Sequence, residues 1–201
     1  MPDEDSIEGY PASLVRSAVL ADHRSVLIRP VRANDAAELG RAIATADPEL
    51  LYARFLGAPP HDDASIRELV EIDYVHRLAL AAFSDDGAGV GIARYEGQPG
   101  SDSAEIAIAI DPQWQRVGLG SLLLKTLCEA ARDRGIRRFT ALTLGENRAV
   151  RSLLTSSGLS FSVQIDSGVA KISIVLDDSD EADSDEHEAD GADEAVGNPD
   201  P

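Results

Sequence analysis

Cysteine is almost missing from this chain: Cys128 is the only one in 201 residues. One thiol excludes an internal disulfide and a multi-thiolate metal site. Long apolar runs are missing as well. No stretch approaches the roughly 18 apolar residues needed to cross a bilayer, so no membrane role is expected. The opening MPDEDSIEGYP is acidic and lacks the basic and apolar regions of a secretory signal. Together these absences lead to the expectation of a cytoplasmic protein.

Positive charge is also scarce. Lys and Arg total 18 against 36 Asp and Glu, for a formal charge of −18. The imbalance is uneven: twelve of the acids, and no Lys or Arg, fall in residues 177–201, leaving 24 acids against 18 bases elsewhere. Such a segment cannot bury enough apolar surface to fold alone. It reads as a solubility tail or as a docking arm for a basic partner. Nucleic acid is excluded as a partner, since body and tail both repel phosphate.

Residues 1–15 are expected to be a disordered lead-in, 16–176 one folded domain, and 177–201 the acidic tail. Apolar alternation begins at SVLIRPV, a strand over about 25–31. RANDAAELGRAIATA follows as a helix to about 45, with Asn34 or Asp35 placed to cap it. DPELLYARFL reads as a second short helix, and SIRELVEID opens with the capping-box spacing of Ser65 and Glu68. RLALAAFS, GAGVGIARYEG and SAEIAIAID then form a three-stranded antiparallel meander, separated by turns at Asp86-Gly87 and Gln98-Pro99-Gly100. A helix with Leu123, Leu124, Leu127, Cys128 and Ala131 on one face comes next, and Gly135 suits its end. IRRFTALTL, ENRAVRSLLTSS and the hairpin around Ser167-Gly168 close the body as strand, helix and two strands. The fold class is α/β (α+β): a mixed central sheet with helices on both faces.

The informative stretch is QRVGLGSLLL, Gln115 to Leu124. A P-loop would need Gly-Lys-Ser/Thr here, and none occurs. A dinucleotide fingerprint would need a third glycine where Leu123 stands, and would normally start the domain. Gly118 and Gly120 remove side chains so that backbone can approach an anion closely. The N–H groups of Arg116, Val117, Gly118, Leu119, Gly120 and Ser121 would face that anion, helped by the helix dipole. Arg116 reads either as an added counter-charge or as an exposed salt-bridging residue.

Gln115-x-x-Gly118-x-Gly120, directly after an apolar strand, resembles the coenzyme A signature of GNAT-type N-acetyltransferases. The resemblance covers roughly residues 24–176. It implies a GNAT fold with a splayed parallel strand pair, and acetyl-CoA as co-substrate with no metal. It also implies a primary-amine acceptor, with the chain expected as a monomer or weak homodimer. The family's N-x-x-A-x-x-L-Y-x-x-x-G-F segment is matched here by NRAVRSLLTSSGL at Asn147, Leu153 and Gly158, with Leu154 in place of the usual tyrosine. That tyrosine commonly protonates the departing thiolate, so Ser152, Ser156 or water is left for the task. Asn147 reads as a helix cap, a contact to the cofactor arm, or both. ELLYARFLG, EIDYVHRLALAAF and AEIAIAI further resemble Pat-type bacterial protein lysine acetyltransferases, whose proposed general base matches Glu105.

Amine acetylation needs the neutral amine, while lysine's reference pKa is about 10.4. A nearby carboxylate takes the proton directly or through water. Glu105 fits if burial raises its pKa; the plainer reading is a solvent-facing strand glutamate. By the resemblance, the cofactor arm lies between the strand ending at Ile110 and the strand at about 138–144, which part at a bulge. An N–H near Ile108 or Ala109 would polarise the thioester carbonyl. Tyr52, Arg54 and Phe55 are expected to shape the acceptor side. His76 reads as a capping or surface residue more readily than a catalytic one, Trp114 as packing and Cys128 as core. The acceptor is read as a protein lysine, with polyamine or aminoacyl acceptors as the alternative. A coenzyme A-binding regulatory module with little turnover is the reading from another class.

Overall fold

The structure, a computed structural model, describes residues 9–145 and 147–176. In chain order these form β1 (Arg16–Val19), β2 (Ser25–Pro30), α1 (Ala36–Thr45), α2 (Pro48–Phe55), α3 (Asp63–Val70), β3 (Arg77–Ser84), β4 (Gly89–Gly97) and β5 (Ser103–Ile110). Then come α4 (Leu119–Arg132), β6 (Arg138–Leu144), α5 (Arg148–Ser157), β7 (Phe161–Asp166) and β8 (Val169–Val175). The eight strands make one sheet in the order β1-β2-β3-β4-β5-β6-β8-β7. Neighbours are antiparallel except β5 and β6. The mixed sheet with helices on both faces is as expected.

Period-two alternation along β3 divides the molecule into two cores. Leu78, Leu80 and Ala82 point into the larger one, with Ile28, Tyr95, Ile106, Phe139 and the leucines of α4. Ala79 and Ala81 point the other way, into a smaller core with Val31 and Val70, against Ala36 and Leu39 of α1. In β4 and β5, Ile92, Arg94 and Glu96 pair with Ala109, Ala107 and Glu105. These six share the α1–α3 side of the sheet, opposite α4.

The glycine turns behave as their sequences predict. Gly87 and Gly100 take positive φ between the meander strands, and Ser167-Gly168 takes φ of 50° and 82° between β7 and β8. Gly158 ends α5 at φ 72°. The caps differ. α3 is capped by Asp62, whose carboxylate accepts from the N–H groups of Ala64 and Ser65, and not by Ser65. Asp35 does not cap α1 with its side chain. Its carboxylate accepts the Arg32 N–H and grips Arg29 at 2.7 and 2.8 Å, uses invisible to local spacing.

The expected lead-in is ordered over its described part. Ala12–Leu14 form a 3-10 turn with Leu14 buried, and Tyr10 meets Tyr74 edge-on at 5.6 Å. β1 was also unexpected, because its RSAV sequence is half polar and it forms only by pairing with β2. The acidic tail lies outside the described residues. Among the described residues no helix is long and apolar enough to cross a membrane.

Candidate active site

β5 and β6 pair at only three positions: Ser103 with Arg138, Ala104 with Phe139 and Glu105 with Thr140. Past Glu105, β5 follows β4 as far as Ile110–Gly91, while β6 follows β8 as far as Leu144–Val169. Each strand keeps its antiparallel partner and so leaves the other. The β5 edge facing the gap, from Ile106 through Ile108, Ala109 and Ile110, therefore has no ladder partner. The strands do not part at a bulge. The β4–β5 register is unbroken, and the register shift in this part of the sheet lies between Ala82 and Phe83 in β3.

The glycine turn opens beside this gap. Leu119, the first residue of α4, is fully buried with Leu123, which fixes where the helix begins. Gly91 makes that approach possible, since a Cβ there would stand 2.9 Å from Ile110 Cδ1 and 3.3 Å from Leu119 Cδ2. Arg116 and Gly118 have φ of 60° and 95°. That left-handed conformation suits glycine and strains arginine. Gly118 contributes no side-chain cap, and the first helical bond runs from the Leu122 N–H to the Gly118 carbonyl at 3.0 Å. The N–H groups of Arg116, Val117, Gly118, Leu119, Gly120 and Ser121 thus find no acceptor among the described residues. Six consecutive free donors at the positive end of a helix dipole suit an anion. Nothing in the chain's own packing requires glycine at 120, where a Cβ would make ordinary contact with Leu153 at 3.7 Å.

The loop carrying these donors is braced from two sides. The Gln115 side-chain amide donates to the Ile110 carbonyl at 3.0 Å, tying the turn to the end of β5. The β1–β2 hairpin tip supplies the second brace: the Ala21 N–H donates to the Val117 carbonyl at 3.1 Å. Arg24 lies over the Trp114 ring at 3.8 Å and donates to the Gln113 carbonyl at 2.8 Å. Trp114 thereby serves packing, as expected. The hairpin's part in the site was not foreseen, because nothing in Ala21 or Arg24 signals a contact some ninety residues away.

On the opposite face, Glu105 and Glu96 stand directly across from each other. Glu96 is held by Arg94 at 2.9 Å and Arg77 at 3.5 Å. Glu105 makes no hydrogen bond or ion pair among the described residues. It is exposed, contrary to the expectation of burial, and so is Glu96: the two facing carboxylates both stand at the water-facing surface of the sheet. α2 packs over β5 and β6 and brings Arg54 to this point. Burial, then the neighbouring Arg94, lower the Arg54 pKa to about 10 against the pull of Glu105 and Glu96. Burial likewise lowers Arg94, with Glu96 opposing it.

The remaining candidates make contacts within the chain. Asn147 caps α5 by accepting the Val150 N–H at 3.1 Å, and its amide nitrogen donates to Thr143 Oγ1 at 3.0 Å, so both ends are committed inside the chain. Leu154 is 4% exposed and lines a small cavity with Phe161, Val163 and Ile172, facing the core. Ser156 donates back to the Leu153 carbonyl. The His76 ring faces Asp73 at 3.2 Å. Cys128 is buried, and burial pushes its thiol up to about 11, which keeps it unreactive.

A parallel strand pair that parts beside the start of α4 is what the resemblance implied. The family model for the acetyltransferase (GNAT) domain matches residues 25–160. The chain belongs to the GNAT acetyltransferases. Among curated relatives, a Pseudomonas aeruginosa protein named Acetyltransferase PA5475 is 34% identical over 143 residues, covering 69% of this chain and 77% of its own length. Acetyltransferase Pat of Mycolicibacterium smegmatis is 29% identical over 134 residues, which is 65% of this chain. The chain spans only 40% of that relative's length. Among solved structures, the GNAT domain of S. lividans PAT is 28% identical with a TM-score of 0.75, covering 83% of this chain and 99% of that domain. As a GNAT acetyltransferase, the protein is an acyl-CoA N-acyltransferase.

Proposed function

We propose that this GNAT enzyme uses acetyl-CoA to acetylate a primary amine, a protein lysine foremost, with Glu105 as general base. The observation that carries the reading is the row of six unpartnered N–H groups from Arg116 to Ser121 at the start of α4. They suit a pyrophosphate, and exposed Arg116 adds charge at the rim. The β5–β6 gap joins that cradle to the opposite face, where Glu105 stands. When bound, the co-substrate supplies a thioester as acyl donor.

The chain's own part is to orient and to move one proton. The unpaired edge at Ile108, Ala109 and Ile110 offers backbone groups to an amide-rich arm and a donor for a carbonyl oxygen. Glu105, uncommitted and in water, attracts the ammonium of an acceptor and takes its proton directly or through water. Glu96 stays bound to its arginines, so one carboxylate of the pair is free for this. Acceptance of a lysine rests on the likeness to the Pat proteins. A small amine acceptor remains the alternative. Retention of the cofactor site without turnover, as in a regulatory module, is favoured by one observation: Leu154 faces the core and cannot donate a proton.

Mass spectrometry of candidate proteins and amines after incubation with acetyl-CoA tests the reading. Acetylated lysine whose appearance depends on Glu105 supports it. Tight acetyl-CoA binding with no acceptor ever modified would favour the regulatory module.

A further inference from the structure

Arg54 is a charged group near Glu105 that the proposed mechanism leaves unused. It sits on α2, which packs over β5 and β6 where the two strands part. Its guanidinium lies 4.7 Å from the Phe55 ring centroid. It makes no hydrogen bond or ion pair among the described residues. The neighbouring arginines are placed differently: Arg94 is spent on Glu96 at 2.9 Å, and Arg77 reaches both Glu96 and the Glu68 carbonyl. Arg54 is therefore a half-buried guanidinium with its donors free, close enough to sense the charges of Glu105, Glu96 and Arg94. An unpaired guanidinium in partly desolvated surroundings is costly unless something fills its fork.

We propose that Arg54 receives a carboxylate carried by the acceptor close to its reacting amine. Resting on the N-acetyltransferase reading, this makes the α1–α3 side of the sheet dipolar, with a free carboxylate at Glu105 for the ammonium and a free guanidinium at Arg54 for an anion beside it. The planar fork matches a carboxylate with two parallel hydrogen bonds. A polyamine, with a second cation in place of the anion, fits this charge pair poorly. Two acceptors carry the required chemistry: a protein lysine flanked by an acidic side chain, and a free amino acid with its α-carboxylate.

The test uses the full chain and matched acceptors. Lysine peptides blocked at both ends carry Glu, Gln or Lys beside the target; free lysine is compared with lysine amide, and spermidine is the polyamine. Peptide affinities are measured with coenzyme A present, which has no acetyl group to transfer, and so read Arg54 whatever the role of Glu105. Turnover with acetyl-CoA, in the parent and in Glu105→Gln, reads the base separately. The acidic acceptor is expected to bind about tenfold more tightly than its neutral match, the scale of one charge-assisted hydrogen-bond pair. Arg54→Gln should bring that ratio close to one, and Arg54→Lys should leave it intermediate. A preference within the blocked peptides assigns the anion to a flanking side chain, and one confined to free lysine assigns it to the α-carboxylate. Equal affinity for acidic and neutral acceptors, a ratio unmoved by Arg54→Gln, or spermidine as the tightest acceptor overturns the proposal. Turnover that survives in Glu105→Gln overturns the base assignment alone.

Discussion

Glu105 and Glu96 face each other across the β4–β5 ladder, yet only Glu96 is bound by arginines. Like charges placed directly opposite repel. Arg94 and Arg77 relieve that repulsion by neutralising one partner, which leaves the other uncommitted. On the proposed reading, that asymmetry leaves Glu105 for proton transfer. Glu105→Gln should lower kcat by about a hundredfold to a thousandfold, within the usual range for a general base. Acetyl-CoA affinity, measured by titration, should stay unchanged. A rate within twofold of the parent would remove Glu105 from the chemistry.

The cradle makes a different prediction. Gly120→Glu places a carboxylate among six donors that suit an anion, and should abolish acetyl-CoA binding. The readout is the ligand-induced rise in melting temperature, expected in the parent and missing in the variant. Gly118→Ala should cost about 1–2 kcal/mol of stability by denaturant titration, because φ is 95° there and a side chain is strained in that region. Undiminished affinity in Gly120→Glu would move the cofactor elsewhere.

At Leu154, restoring the family's tyrosine should not help. The side chain is 4% exposed and faces the core, so Leu154→Tyr would overfill it at a cost of about 1–3 kcal/mol. No gain in kcat is expected. A faster enzyme of unchanged stability would mean that the position reaches the reacting atoms.

Asp73 gives a pH dependence. Burial raises its pKa, but the N–H groups of Arg77 and Val75, then His76, outweigh it and hold the carboxyl below the usual value of 3.8. The ionised form is thus favoured in the folded state. Its stabilisation is complete above the ordinary aspartate range and is lost as pH falls through the lower folded-state value. Asp73→Ala should therefore be less stable than the parent at pH 7, with the gap closing below about pH 4. A gap that is constant from pH 7 to pH 3 would show that the carboxylate charge is not involved.

The amino-acid sequence by itself determined most of the elements and pointed to the place of the candidate anion site. Alternation in RLALAAFS and SAEIAIAI, the leucine stripe after Gly120, and glycines at the turns are local signals, and each names a conformation without help from distant residues. The row from Arg116 to Ser121 could be picked out for the same reason, and Glu105 by the resemblance of AEIAIAI to the Pat-type proteins. The tertiary structure decided everything that depends on two distant segments meeting. It exposed Glu105 where burial was expected, turned both ends of Asn147 inward, and spent Asp35 on Arg29 and Arg32. It also brought the β1–β2 hairpin tip against the glycine turn and packed α2, which carries Arg54, over β5 and β6. Side-chain partners are chosen by the packing of the whole sheet and its helices, and no spacing along the chain encodes which arginine is left without one.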